Sequence, residues 1–258
     1  MILRKLSHLT PWLVVFAFFA VWEFFVRFGY ISPLVLASPI DVFVALAKML
    51  GNSRTYLDIA VTLYEALAGF SIAAVIGIGL GVMLSRYPAL QRALQPIIVA
   101  VQVTPKIVLA PLFILWFGFG AGSKIVIAAM LCFLPIMNNT MLGIKSIEDS
   151  HRDVMRSMEA TAFQRLMFLE LPSALPAVLT GLEIGIIFAM IGTIIGEFLS
   201  GVNGLGHVAV EKLNSFEVDG LFATVLLLSL ISATLYSLIV GLRRLLTPWH
   251  ATARAVLN

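Results

Sequence analysis

The sequence predicts an all-α membrane protein, and three observations carry that prediction. Of 258 residues, 60% are hydrophobic and 12% charged, where a soluble domain carries about 25% charged residues. Mean hydropathy is +1.01. Two stretches, Ala66 to Ser85 and Ile125 to Ile144, run twenty positions each without a charge, the length one helix needs to cross a bilayer core with every backbone group paired. The same composition excludes disordered and collagenous chains, and a single Cys132 excludes a disulfide framework. A net charge of +3 on so apolar a chain does not point to nucleic acid.

The first span is read at about 11–31. It is apolar from Pro11 to Tyr30, with Glu23 and Arg27 four apart and able to pair on one helix face. Arg4 and Lys5 ahead of an apolar stretch resemble a secretory signal, but Trp22-Glu23-Phe24-Phe25 lacks the small residues of a cleavage site, so a retained span is expected. Ser38 capping Pro39-Ile40-Asp41 predicts an amphipathic helix over about 39–50, lying at the outer surface. A second span follows at 60–84. The third, 89–117, would be roughly 45 Å long as one helix and is interrupted by Pro96, Pro105 and Pro111, which predicts a broken span.

The turn Gly118-Phe119-Gly120-Ala121-Gly122 leads into a fourth span at 123–144. Residues 145–172 are the strongly charged stretch. Asp149, Arg152, Asp153 and Arg156 stand there at helical spacing, and Glu148, Glu159, Arg165 and Glu170 lie nearby. A fifth span at 174–199 holds Ile184 to Gly196 between Glu183 and Glu197; a sixth at 220–244 contains the charge-free run Gly220 to Leu242. With the N-terminus inside, eleven of the seventeen Lys and Arg residues fall on inner segments: Arg4, Lys5, Arg86, Arg92, Lys145, Arg152, Arg156, Arg165, Arg243, Arg244 and Arg254. That bias places both termini in the cytoplasm. Lys48, Arg54, Lys124 and Lys212 are assigned with Arg27 to the outer side or its interface.

The charged stretch ends in Leu171-Pro172, and there the chain resembles the membrane permeases of binding-protein-dependent ABC importers. Their signature is Glu-Ala-Ala, three residues, Gly, nine residues, Ile, one residue, Leu-Pro. Laid on this chain without a gap, it puts the acidic residue on Asp153, Val154-Met155 in place of Ala-Ala, Glu159 in place of Gly, and Leu169 in place of Ile. Further likeness to the nitrate/sulfonate/taurine branch lies in Leu115-Trp116-Phe117-Gly118-Phe119-Gly120 and in Leu171 to Leu182. Glu197-Phe198-Leu199 with Gly204-Leu205-Gly206, and Leu246-Thr247-Pro248-Trp249-His250, extend it along nearly the whole chain.

The resemblance implies the type I ABC importer permease fold in a bacterial cytoplasmic membrane. It also implies a second copy of the chain, two cytoplasmic ATPase subunits that hold ATP and Mg, and a periplasmic or lipid-anchored solute-binding protein. A short helix within 155–168 would sit in a groove of the ATPase, through Met158, Ala160 and the possible anchor Phe163. Glycine at 159 would permit positive φ or close approach. Glu159 instead could cap, or pair with a basic ATPase residue, or stand solvated.

The resemblance implies a small polar solute: nitrate, a sulfonate such as taurine, or alternatively a thiamine-precursor pyrimidine or riboflavin. Lys106 after the Thr104-Pro105 break could line a pathway for an anion or snorkel to the interface. Gln102, Asn138, Asn139, Thr140, Thr193 and Glu197 could face the solute or bond between helices. Gly77/Gly81, Gly181/Gly185 and Gly192/Gly196, each four apart, permit close helix packing. His8, His151, His207 and His250 form no ligand spacing, so no metal site is expected. Gly118 to Lys124 is not a phosphate loop, since Ser123 stands where Gly must precede Lys. No nucleophile–base pair is evident, so no catalysis is expected of this chain. A secondary transporter is the rival of another class; it predicts internal repeats, which the sequence lacks.

Overall fold

The computed structural model describes residues 2–248, with side chains from residue 13 onward. Arg4, Lys5, His8, Trp249, His250 and Arg254 therefore lie outside the described side chains. The described residues form helices α1 (Ile2–Arg27), α2 (Pro39–Leu50), α3 (Ser53–Arg86), α4 (Pro88–Val103), α5 (Ala110–Phe117), α6 (Ala121–Lys145), α7 (Asp149–Ser157), α8 (Ala162–Arg165), α9 (Leu171–Ser200), α10 (Leu205–Asn214) and α11 (Val218–Leu246). A 3-10 turn, Lys106–Leu109, joins α4 to α5, and a π turn, Leu166–Glu170, joins α8 to α9.

Among the described residues, four helices are long and apolar enough to cross a membrane: α3, α6, α11 and the continuous run Ala162–Ser200. The segment from Pro88 to Phe117 is bent by 85° at the 3-10 turn. Pro105 has no N–H to continue α4, and Thr104 before it is extended. The predicted interruption of this segment is thus observed, with the break at Pro105. Pro96 stays inside α4, and Pro111 opens α5 where no donor is needed.

The chain divides into two compact units, one of residues up to 61 with 203–230, the other of 62–202 with those from 231 onward. In the first, Glu23 takes Arg27 at 2.8 Å and also accepts from the Ile40 N–H at 3.4 Å. The Trp22 indole donates to the Ala37 carbonyl at 3.1 Å, and Ser38 caps α2 by accepting from Asp41. The amphipathic helix runs over 39–50 as predicted, with Val42, Ala45 and Leu46 buried. Asp58 accepts from the Gly204 N–H at 3.2 Å and so fixes the approach to α10.

The second unit is built on α6. A Cβ added at Gly69 or Gly81 of α3 would lie 2.6 Å from the Cβ of Ala128 or Thr140. On α9, a Cβ at Gly181 would meet Asn139 and one at Gly192 would meet Ala128, at 2.8 and 2.7 Å. Glycine therefore lets both helices approach α6 at backbone distance, and the paired glycines serve packing within one subunit. Ala73, Ala128, Cys132, Ile136 and Ala189 form the buried centre, where Cys132 acts as a small apolar side chain.

Candidate functional site

The charged stretch folds as two helices rather than one across 155–168. Helix α7 ends at Ser157, and the backbone then closes a reciprocal pair of bonds. The Glu159 N–H donates to the Arg156 carbonyl at 2.9 Å and the Ala160 N–H to Met155 at 3.0 Å. This closure requires the left-handed conformation one residue past the C-cap, and Glu159 has φ +54°. Thr161 then starts α8 with a capping box: it accepts from the Gln164 N–H at 3.2 Å while Gln164 accepts from the Thr161 N–H at 2.8 Å. Met158 to Ala160 form the elbow between the helices.

The loop is tied down from beneath. Arg86, the last residue of α3, donates to Glu170 from Nε at 3.0 Å and from its terminal nitrogen at 2.9 Å. It also reaches the Ala162 carbonyl at 2.8 Å. Arg152 donates to the Ile144 carbonyl at 2.9 Å, closing the end of α6, and Lys145 bonds Gln91. Asp153 pairs with Arg156 at 3.1 Å on the open side. Pro172 has no N–H and its ring crowds the carbonyl of Phe168. The Leu171 N–H turns instead to Leu166, five residues back, and the π turn results.

Several large apolar side chains of the loop are left uncovered. Met158 is 71% exposed and Phe163 66%, with Val154 also exposed, while Met155, Ala160, Leu169 and Leu171 are half-buried. Large side chains held this openly on a fixed and charged frame suit a protein contact. Arg86 and Glu170 escaped sequence reasoning, which counted the arginine only toward topology. Their opposite charge at two span ends was the available signal.

The proposed pathway residues do not gather into one site. Lys106 lies half-buried at the bend with its Nζ on the Gln102 carbonyl at 3.4 Å, and the Gln102 side chain is exposed. Asn139 donates to the Pro135 carbonyl at 2.9 Å and Thr140 to Ile136 at 2.8 Å, so both satisfy backbone on their own helix. Asn138 is half-buried beside them, and Thr193 is buried in α9.

Glu197 belongs to a buried polar network. It accepts from the Thr62 hydroxyl at 2.7 Å, and Lys124 meets Glu65 at 3.0 Å. Lys124 is 2% exposed, Glu65 1% and Glu197 0%. Lys124, assigned to the outer side or its interface, is enclosed by α3, α6 and α9 with a carboxylate against it. Removing one partner of such a pair leaves a buried charge, at a cost of about 3–5 kcal/mol. A further tie joins Arg243 of α11 to Glu183 at 2.9 Å and to Thr180 at 3.4 Å. No cluster of metal-ligating side chains occurs among the described residues.

Comparison with known proteins identifies the family. Residues 73–250 match the family described as binding-protein-dependent transport system inner membrane component. The formylaminopyrimidine transport permease protein ThiX of Halalkalibacterium halodurans is 34% identical, covering 96% of this chain and 98% of its own. The riboflavin transport system permease protein RibX of Chloroflexus aurantiacus is 35% identical over 90% and 86%. The taurine transport system permease protein TauC of Escherichia coli is 29% identical over 89% and 86%. The MetNI methionine ABC transporter in inward-facing conformations shares the fold, with a TM-score of 0.67 at 20% identity over 74% of this chain and 95% of that one. The chain belongs to the binding-protein-dependent ABC importer permeases, whose membrane subunits leave ATP hydrolysis to a separate ATPase.

Proposed function

We propose that this chain forms the translocation pathway of an ATP-driven importer of a small polar solute. In this reading it crosses a bacterial cytoplasmic membrane six times, with both termini inside, as a pair of copies. Two ATPase subunits, carrying ATP and Mg, dock on the 145–172 loop, and a solute-binding protein delivers the solute on the opposite face. The chain itself holds no cofactor. The observation that carries the reading is the exposed row of Val154, Met158 and Phe163 on a charged loop whose foot is clamped by Arg86 to the end of α3. A push on that row reaches the spans directly. Co-purification with an ATPase subunit and ATP-dependent uptake into vesicles test it. Uptake without the ATPase, or uptake that survives deletion of 155–168, refutes it.

For the solute, a neutral nitrogen heterocycle is favoured over an anion. The permeases for formylaminopyrimidine and riboflavin match at 34% and 35%, those for sulfonates and taurine at 26% to 29%. Competition among formylaminopyrimidine, riboflavin, taurine and nitrate in the uptake assay separates these; inhibition by taurine or nitrate alone restores the anion reading.

A further inference from the structure

A cleft of about 230 Å³ lies between α1, α2 and α11, and the residues that line it all belong to the first compact unit. Phe19 and Trp22 of α1, Pro39 and Phe43 of α2, and Phe222 and Ser229 of α11 stand in its walls. Trp22 and Phe222 meet at one end, with ring centres 6.1 Å apart. Ser229 lies two turns further into the span, about 10 Å along α11. The walls hold only two polar side chains, and both spend their hydrogens within the protein. The Trp22 indole donates to the Ala37 carbonyl at 3.1 Å and the Ser229 hydroxyl to the Val225 carbonyl at 2.8 Å. A buried water needs roughly two to four polar partners, so the cleft suits hydrocarbon rather than water or a polar solute. Its Trp22 end is charged. Glu23, next to Trp22, accepts from the N–H of Ile40, next to Pro39, at 3.4 Å and takes Arg27 at 2.8 Å. The Arg27 side chain is 66% exposed, and Glu23 engages one nitrogen of a group with five donors.

We infer that this cleft is a phospholipid site, with one acyl chain seated between the three helices and the phosphate on the Arg27 guanidinium. The shape and the charge agree on that orientation. Helix α1 ends and α11 begins at the same end of the cleft, so Arg27 and Trp22 stand at the polar level while Phe19 and Ser229 lie toward the apolar middle. An indole suits the headgroup boundary, and a guanidinium engages a phosphate through paired N–H···O bonds. With the chain in place, Pro39 and Phe43 rest on hydrocarbon, and the lipid helps to seat α2 against α1 and α11. The inference stands apart from the identity of the solute and from the ATPase.

Binding of phosphatidylglycerol with brominated acyl chains to the full chain in detergent tests this. The parent carries W12F, W116F and W249F, which leaves Trp22 as the sole tryptophan. Bromine quenches by contact, so Trp22 fluorescence should fall on adding lipid and saturate at one lipid per chain. Ser229→Phe, which fills the cleft, should abolish the saturable quenching. Arg27→Gln should weaken it about twofold to fivefold. Val75→Phe, on the open face of α3, should leave it unchanged. Absence of saturable quenching in the parent overturns the proposal, as does quenching that survives Ser229→Phe or is indifferent to Arg27→Gln. Equal quenching by a brominated alkyl maltoside also overturns it, since a chain without a phosphate then binds as well. A change of oligomeric state in Ser229→Phe with quenching intact gives the cleft to a second copy of the chain and overturns it too. The parent, Arg27→Gln and maltoside measurements stand even if Ser229→Phe fails to fold.

Discussion

Glu159 sits at φ +54°, on the residue that closes α7. A side chain there clashes with its own carbonyl, costing about 1–2 kcal/mol relative to right-handed backbone. Glycine removes that cost but brings about 0.5–1 kcal/mol of extra backbone entropy to lose. The net expectation for Glu159→Gly is a gain of about 0.5–1 kcal/mol in the closure of the elbow. The Glu159 carboxylate has no hydrogen-bond partner among the described residues, so nothing offsets the gain. The amides of Glu159 and Ala160 hold the closure, and their hydrogen exchange in the full chain should slow by about twofold to fivefold. Glu159→Ala is the control, because it removes the charge while retaining Cβ. If alanine slows exchange as much as glycine, charge rather than backbone strain governs this elbow, and the reasoning fails.

Three further outcomes are expected. Arg86→Met should free residues 162–170 by about 2 kcal/mol of local stability, a value discounted for the part-exposed guanidinium. Exchange there should rise, and R86M/E170Q should restore much of the loss. Gly81→Leu should lower the unfolding midpoint in SDS by the equivalent of about 1–3 kcal/mol, since its Cβ would lie 2.6 Å from that of Thr140; Gly79→Leu, with nothing within 4 Å, should not. Phe163→Ala should weaken ATPase capture about tenfold or more and leave the melting midpoint unchanged, because the ring is already exposed.

Features decided by local chemistry were legible in the sequence. Pro105 announced the bend, Ser38 the start of α2, and the four-residue glycine spacings the close packing on α6. Glu159 stood where the family signature has glycine, and the backbone there is one that glycine would adopt without strain. The ion networks were not legible, because Glu65 and Lys124 are far apart in the chain and meet only once three helices pack. Hydropathy treats a lysine at the mouth of a span as interfacial; burial beside a carboxylate has no local signature. The elbow at 158–160 was less legible, since the charged helical pattern stops at Arg156 and the closure at Glu159 carries no glycine. Asn139 and Thr140 carry groups that fit a solute, yet each satisfies the carbonyl four residues back.

Helices α8 and α9 with the π turn between them form one continuous helical rod of 39 residues, roughly 58 Å long at 1.5 Å per residue. Along it stand Glu170, Glu183 and Glu197, spaced by thirteen and fourteen residues, or roughly 20 Å each. Each is fastened to a different neighbour: the end of α3, the end of α11, and the buried network at the far end. Such a rod cannot slide or rotate at one height alone. A force on Phe163 must either swing it whole or undo one fastening, and the fastening that yields sets the fulcrum. The order of bond strength among three acids would then decide whether the opposite end opens or stays shut when the foot moves.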